Sequence, residues 1–144
     1  MGEINKQITV DAPVKMVYAF VSDARNAPKY ISSIKRVISG PEGGPAPGQV
    51  WRAEANFMGQ DRLLNLRVAE LVPNKLVRFA LDGDPEAVVQ LRLTQQEATQ
   101  STHVALSLEA VGIPSILLGA VLGGLLSQDM LRLKRLLEHR RSAE

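Results

Sequence analysis

Cysteine is absent from the 144-residue chain, so disulfides, thiolate nucleophiles and thiolate-bound metals are excluded. Histidine occurs twice, as His103 and His139. No Ser/His/Asp spacing, Gly-x-Ser-x-Gly turn, phosphate-binding loop, dinucleotide fingerprint or metal-ligand cluster accompanies either one. Neither a cofactor nor a metal is therefore expected. An excess of one charge is also missing: 17 Lys and Arg face 15 Asp and Glu, a formal net charge of +2 and too even a balance for strong nucleic-acid binding. The opening residues Met1-Gly2-Glu3-Ile4-Asn5-Lys6 lack the apolar core of a signal peptide, which makes a cytoplasmic protein the expectation. The longest apolar run, Ile113–Leu126, spans only about 21 Å as a helix against about 30 Å of hydrocarbon, so no transmembrane segment is expected.

What is present is the material of a core. At 45% hydrophobic and 22% charged residues, the chain predicts one domain over residues 1–144. Ile4, Ile8 and Val10 share one parity and predict a first strand over Glu3–Val10, interrupted by Lys6 on the same face. Asp11 as a cap and Pro13 in the first turn predict a helix with Val14, Val17, Tyr18 and Val21 on its apolar side. A shorter helix is expected near Asn26, with Pro28 in its first turn and Tyr30 and Ile31 buried. Ile34–Ile38 reads as a strand, and Gly40–Gly48, seven of whose nine residues are Gly or Pro, as a long hairpin loop.

Five alternating segments follow. Trp51, Ala53, Ala55 and Phe57 share one face; so do Leu64, Leu66 and Val68; Val77, Phe79 and Leu81; Val89, Leu91 and Leu93; and Val104, Leu106 and Leu108. Turns are expected at Met58–Asp61, Pro73-Asn74, Asp82–Pro85 and Glu97–Gln100, and connections this short require an antiparallel meander. The opposite face carries Arg52, Arg67, Arg78 and Arg92 with Glu54 and Glu109, which predicts cross-strand charge pairing. Ile113–Arg141 then predicts one long helix whose stripe is Leu118, Leu122, Leu126, Met130, Leu133, Leu136 and Leu137. The fold class expected is α+β: a seven-stranded curved antiparallel sheet, two short helices and a long C-terminal helix. Ala53 and Ala55, with Gly119 and Gly123 near the stripe, are small where a dense core wants bulk, which leaves room for a cavity.

Ile8-Thr9-Val10-Asp11-Ala12-Pro13 leading into Val17–Asp23, then Asn26-Ala27-Pro28-Lys29-Tyr30, and later Arg67–Pro73, resemble the START/Bet v 1-like (SRPBCC) superfamily, and within it the polyketide cyclase/dehydrase-like proteins. The resemblance covers essentially the whole chain. It implies a helix-grip fold around an apolar cavity, in a superfamily whose members bind lipids, sterols, quinones or polyketides, some acting as cyclases or hydrolases.

The reading of the residues favours binding of a hydrophobic or amphipathic small molecule between sheet and C-terminal helix, because the expected inward face of the five middle strands carries no ionisable group. A cyclase-, dehydratase- or hydrolase-type enzyme and a protein-interaction module are the alternatives. Candidate ligand contacts are Trp51, Ala53, Ala55, Phe57, Leu66, Phe79, Leu91, Leu106, Leu118, Leu122 and Leu126, with the three aromatics serving either as packing or as lining. Asp129 falls close to the apolar stripe. It is either an ion pair with Arg132, an anchor for a ligand headgroup or a weak candidate for a catalytic acid. Leu117, Ala120, Val121 and Gly124 make the first half of the helix apolar all round, which calls for a homodimer partner through Ile113–Leu126, cover from the Gly/Pro-rich loop, or membrane contact.

Overall fold

Alternation of apolar and polar side chains yields β1 (Gly2–Val10), β2 (Ile34–Ser39), β3 (Val50–Phe57), β4 (Gln60–Val72), β5 (Leu76–Asp82), β6 (Ala87–Gln96) and β7 (Ser101–Ala110). Between the first two strands lie α1 (Val14–Val21), a 3₁₀ turn (Ala24–Asn26) and α2 (Ala27–Tyr30), and the chain ends in α3 (Ser115–Ala143). The computed structural model describes residues 2–57, 59–83 and 86–143; Met58, Asp84 and Pro85, which fall in two of the expected turns, lie outside them. The strands form one antiparallel sheet in the order β1-β7-β6-β5-β4-β3-β2, so the first strand closes onto the last. Register shifts between Val68 and Glu70 on β4 and at two points of β2 bend the sheet. The fold is of the α+β helix-grip type.

One half of the interior is solid. Tyr30, Phe79, Leu66, Leu91, Leu133 and Leu137 are fully buried there, with Phe20 packed 5.9 Å from the Tyr30 ring. The Tyr30 hydroxyl donates to the Val21 carbonyl at 2.9 Å, so the one polar atom of that ring is satisfied. Asp11 does not cap α1, contrary to expectation. Pro13 occupies the cap, the Val14 N–H donates instead to Gln95 Oε1 of β6 at 2.8 Å, and the Asp11 carboxylate pairs with Arg141 at the end of α3.

The long helix runs alongside β1 from end to end. Ser115 Oγ accepts from the Glu3 N–H at 3.1 Å, Lys134 Nζ donates to the Thr9 carbonyl at 3.1 Å, and Glu138 Oε2 accepts from the Asp11 N–H at 2.8 Å. The exposed side of an edge strand carries unpaired backbone groups, and α3 engages two of them on β1, the Glu3 N–H and the Thr9 carbonyl, with the Asp11 N–H just beyond the strand. Close approach at the start is possible because residue 2 is glycine: a Cβ there would overlap the Ile113 carbonyl.

By length and composition α3 would pass as a membrane span, with mean hydropathy 1.4 over its most apolar window. The expectation that this segment is too short for one therefore rested on the run before Gln128 alone. Its stripe is nevertheless spent inside the protein, since Leu118, Leu122, Leu126, Met130, Leu133 and Leu137 are all buried.

On the outer face, Arg67 pairs with Asp82 at 3.1 Å and Arg78 with Glu70 at 2.6 Å. Glu54 pairs with Lys35 and Arg36 of β2 rather than with the expected arginines, while Arg52 donates to Asn65. At the far edge Gly40 packs against the Trp51 indole, whose other contacts include the Arg25 guanidinium 6.0 Å from its centroid. A Cβ on Gly40 would overlap the ring. Gly40→Ala should therefore cost about 1–3 kcal/mol, the ordinary penalty of overpacking, with a shifted emission from Trp51, the protein's only tryptophan. Chemical denaturation followed by that fluorescence measures both, and an unchanged midpoint would show that the indole does not hold this position.

Candidate functional site

α3 follows β1 and also packs against α2, and its first half stands off from the inner face of the sheet. Between them lies a cavity of about 410 Å³. Its floor is Val89 of β6 with Leu106 and Leu108 of β7, and its roof is Leu122 and Leu126 of α3. One side is closed by Ile31, Ser33 and Ile34, where the chain passes from α2 into β2. The other ends at Leu81, Ala87 and Ala110, and the rim by the β3–β4 hairpin is Ala55, Asn56, Phe57, Arg62, Leu63 and Leu64. Side chains that shorten toward the ends of β3, β6 and β7, at Ala55, Ala110 and Ala87, provide the space.

Of the candidate contacts, the structure brings Ala55, Phe57, Leu106, Leu122 and Leu126 to the wall. It places Trp51, Ala53, Leu66, Phe79, Leu91 and Leu118 in the filled core instead, each buried and none at the cavity surface. Gly119, expected to thin the helix over the cavity, is exposed and points away, whereas Gly123 is buried near the Lys6 ammonium. The void thus owes more to the course of α3 than to small residues on it.

The inward face does carry an ionisable group. Arg62 pairs with Ala55 across β3 and β4 and so shares the face of Leu64 and Leu66, one alternation before the residue at which periodicity placed the strand start. Its guanidinium donates to Gln60 Oε1 at 2.7 Å, and its neighbours at the rim are Asn56 and Ser33. The adjacent Asp61 is engaged by Asn56 at 2.8 Å and Lys35 at 3.1 Å, and those hydrogen bonds hold its carboxyl below the usual range. Among the described residues lining the cavity there is no Asp, Glu or His, and among the described residues no cluster of three His, Asp or Glu side chains could hold a metal ion.

Asp129 is 1% exposed but is not part of the wall. Its Oδ2 accepts both the Ser32 N–H and the Ser32 hydroxyl at 3.1 Å, and Arg132 approaches only to 4.0 Å of Oδ1. Ser32 lies between the wall residues Ile31 and Ser33, so this carboxylate fastens the cavity side to its roof. Sequence spacing pointed to Arg132 because it is local; Ser32 is 97 residues away, which no periodicity can show.

The chain matches, over residues 1–138, the family model described as polyketide cyclase/dehydrase and lipid transport. It belongs to that family. Among solved structures, this family member resembles an aromatase/cyclase from Streptomyces sp. R1128, with a TM-score of 0.74, 18% identity and coverage of 96% of this chain and 94% of the other. A START superfamily protein from Mycobacterium smegmatis gives 0.76 at 17% identity, covering 96% and 99%. An Aha1 protein from Colwellia psychrerythraea, solved as a dimer, gives 0.67 at 19%, covering 96% and 97%. Likeness at such identity concerns the fold. No protein of curated function matches the sequence.

Burial raises the Asp129 carboxyl above its ordinary value of 3.8, overriding the hydrogen bonds from Ser32 and the charge of Arg132, which act to lower it. A carboxyl whose folded value is raised binds its proton more tightly folded than unfolded. Stability therefore falls as pH climbs from about 4 through the raised value, and is greatest below that window. Asp129→Asn removes this dependence, so the variant's stability relative to the parent should rise between pH 4 and pH 7. Urea titrations at several pH values check it; a difference that stays flat would contradict the raised value.

Proposed function

We propose that the protein binds an amphipathic small molecule carrying an acidic or hydrogen-bond-accepting head in this cavity. The observation that carries the proposal is a wall of apolar side chains with one cation among the described lining residues, Arg62, at its rim beside Asn56 and Ser33. Apolar burial at about 25 cal/mol per Å² gives affinity with little selectivity for tail structure. A guanidinium in a partly dry setting adds preference for a carboxylate, phenolate or enolate oxygen, since charge-assisted hydrogen bonds are about twice as strong as neutral ones. Lipid, quinone and polyketide-like compounds all meet this description, and the family's description includes both cyclases and lipid transport.

Binding without turnover is the reading the residues support. Cyclisation or dehydration needs a proton acceptor at the substrate, and the described wall offers Ser33 and Asn56 but no base. An enzyme reading has one point in its favour: Arg62 is placed where it would stabilise a developing enolate. A protein-interaction role for the cavity itself gains nothing from a pocket of this size.

Isothermal titration with decanoate and with decanol separates the contributions of tail and head. Leu106→Trp should abolish binding of both by filling the cavity. Arg62→Gln should weaken decanoate about tenfold, roughly 1.4 kcal/mol, and leave decanol within a factor of two. Failure of the parent protein to bind either ligand, or equal loss of both in Arg62→Gln, would overturn the proposal.

A further inference from the structure

A second concavity lies on the outside of the molecule, between α1 and the end of α3. Its volume is about 670 Å³, and it shares no residue with the cavity under the first half of α3. Its floor is Met16, Ala19 and Phe20, which stand three and four positions apart and so fall on one side of α1. Phe20 is buried beneath the guanidinium of Arg140, 4.8 Å from the ring centroid, whereas Ala19 is exposed and Met16 half-buried.

The rim is cationic. Lys15 stands at one end of the floor. At the other end is Asn26, whose Nδ2 donates to the Phe20 carbonyl at 3.0 Å and whose Oδ1 accepts from the Lys29 ammonium at 3.3 Å. Arg140 closes the side that α3 provides. Among the described residues, Lys15, Lys29 and Arg140 form no ion pair, because the carboxylates that flank α1 and the end of α3 are engaged elsewhere: Asp11 by Arg141, Asp23 by Arg25 and Glu138 by Lys134. The first turn of α1 holds no acidic side chain, although the helix dipole favours one there, and Lys15 occupies it instead. On the sheet surface each such cation has its acid, as Arg67 has Asp82 and Arg78 has Glu70. Here three gather without one.

We infer that this groove docks an acidic peptide segment of a partner protein, whose apolar side chains lie on Met16 and Ala19 while flanking carboxylates reach Lys15 at one end and Arg140 and Lys29 at the other. Spacing selects this occupant. From Lys15 to Phe20 α1 rises about 7.5 Å, and Lys29 lies further on, so a single phosphate or carboxylate spans too little to meet both ends. An extended peptide sets side chains two or three residues apart at about 7–10 Å. The apolar floor between the cations selects against a uniform polyanion such as nucleic acid, as does the net charge of only +2. An anionic bilayer presents a flat surface, a poor match to a recess between two helices. Arg140, free of any carboxylate, keeps its planar fork for a bidentate pair.

The inference is independent of what the internal cavity binds. Fluorescence anisotropy at low salt, with a labelled peptide in which two leucines are flanked by glutamates and then serines, should show saturable binding with Kd on the order of 100 μM. Peptides with lysines for the glutamates, or serines for the leucines, should bind at least about tenfold more weakly. Lys15→Glu and Arg140→Glu should each weaken the acidic peptide about tenfold, and K15E/R140E should prefer the lysine peptide, with circular dichroism spectra unchanged. Lys15→Glu decides the matter even where Arg140→Glu fails to fold, since an acid suits the first turn of α1. No binding by the parent up to about 1 mM, equal binding of the lysine peptide, or an unaffected Lys15→Glu variant overturns the inference. Displacement of the peptide by about 10 mM inorganic phosphate, but not by chloride of equal ionic strength, would reduce the groove to a small-anion site and overturn it as well. So would sedimentation of the parent with phosphatidylserine/phosphatidylcholine vesicles that is lost in Lys15→Glu, which would assign the groove to a membrane.

Discussion

The structure depends on where one helix is fastened. An edge strand presents open backbone groups, and α3 is tied to β1 at both ends, through Ser115 at Glu3 and Lys134 at Thr9, and through Glu138 to Asp11 just beyond the strand. A rod tied along one border of a curved sheet cannot also lie on its middle. α3 packs against α2, and near its end Arg140 lies over the Phe20 ring of α1, whereas the near half spans open space above β6 and β7. Asp129 sits where these halves meet and, through Ser32, ties the α2–β2 connection to the helix. The cavity is thus a consequence of topology, and its polarity is set by which few residues reach its rim.

Those few residues explain the asymmetry of the site. Val89, Leu106, Leu108, Leu122 and Leu126 cannot distinguish one hydrocarbon from another beyond its volume, because dispersion and apolar burial are not directional. In the proposed reading, directional recognition would fall to the β3–β4 hairpin end, where Arg62 and Asn56 stand. A ligand held there would enter tail-first, with its head near the rim. Asp61, next to Arg62 in the chain, accepts its hydrogen bonds from Lys35 and Asn56.

Most of the fold was legible because strand alternation and helical spacing are strong signals in this chain. The parity of Trp51, Ala53 and Ala55, the fully buried Val77 and Phe79, and the stripe from Leu118 to Leu137 follow the sequence pattern. Less of the site was legible. Arg62 was missed because it falls between the expected turn at Met58–Asp61 and Leu64, the first apolar residue of the expected strand, although extending the alternation of Leu66 and Leu64 back by two positions puts it on the inner face. Ser32 and the closing residues Ile31 and Ser33 belong to a connection, where no period exists to read. The division of the inward apolar residues into filled core and cavity wall depends on the lateral position of α3, a tertiary property that no local pattern encodes. Asp11 shows the same limit: a sound capping residue by type, it is claimed by Arg141, 130 positions away.

The central claim is an enclosed apolar space between the first half of α3 and strands β6 and β7, and xenon tests it without requiring the natural ligand, because dry cavities of this kind take up the gas. Diffraction from crystals grown without detergent and pressurised with xenon should show bound atoms among Val89, Leu106, Leu122 and Leu126. Leu126 and Leu106 touching across a filled interior, with no xenon between them, would contradict the account.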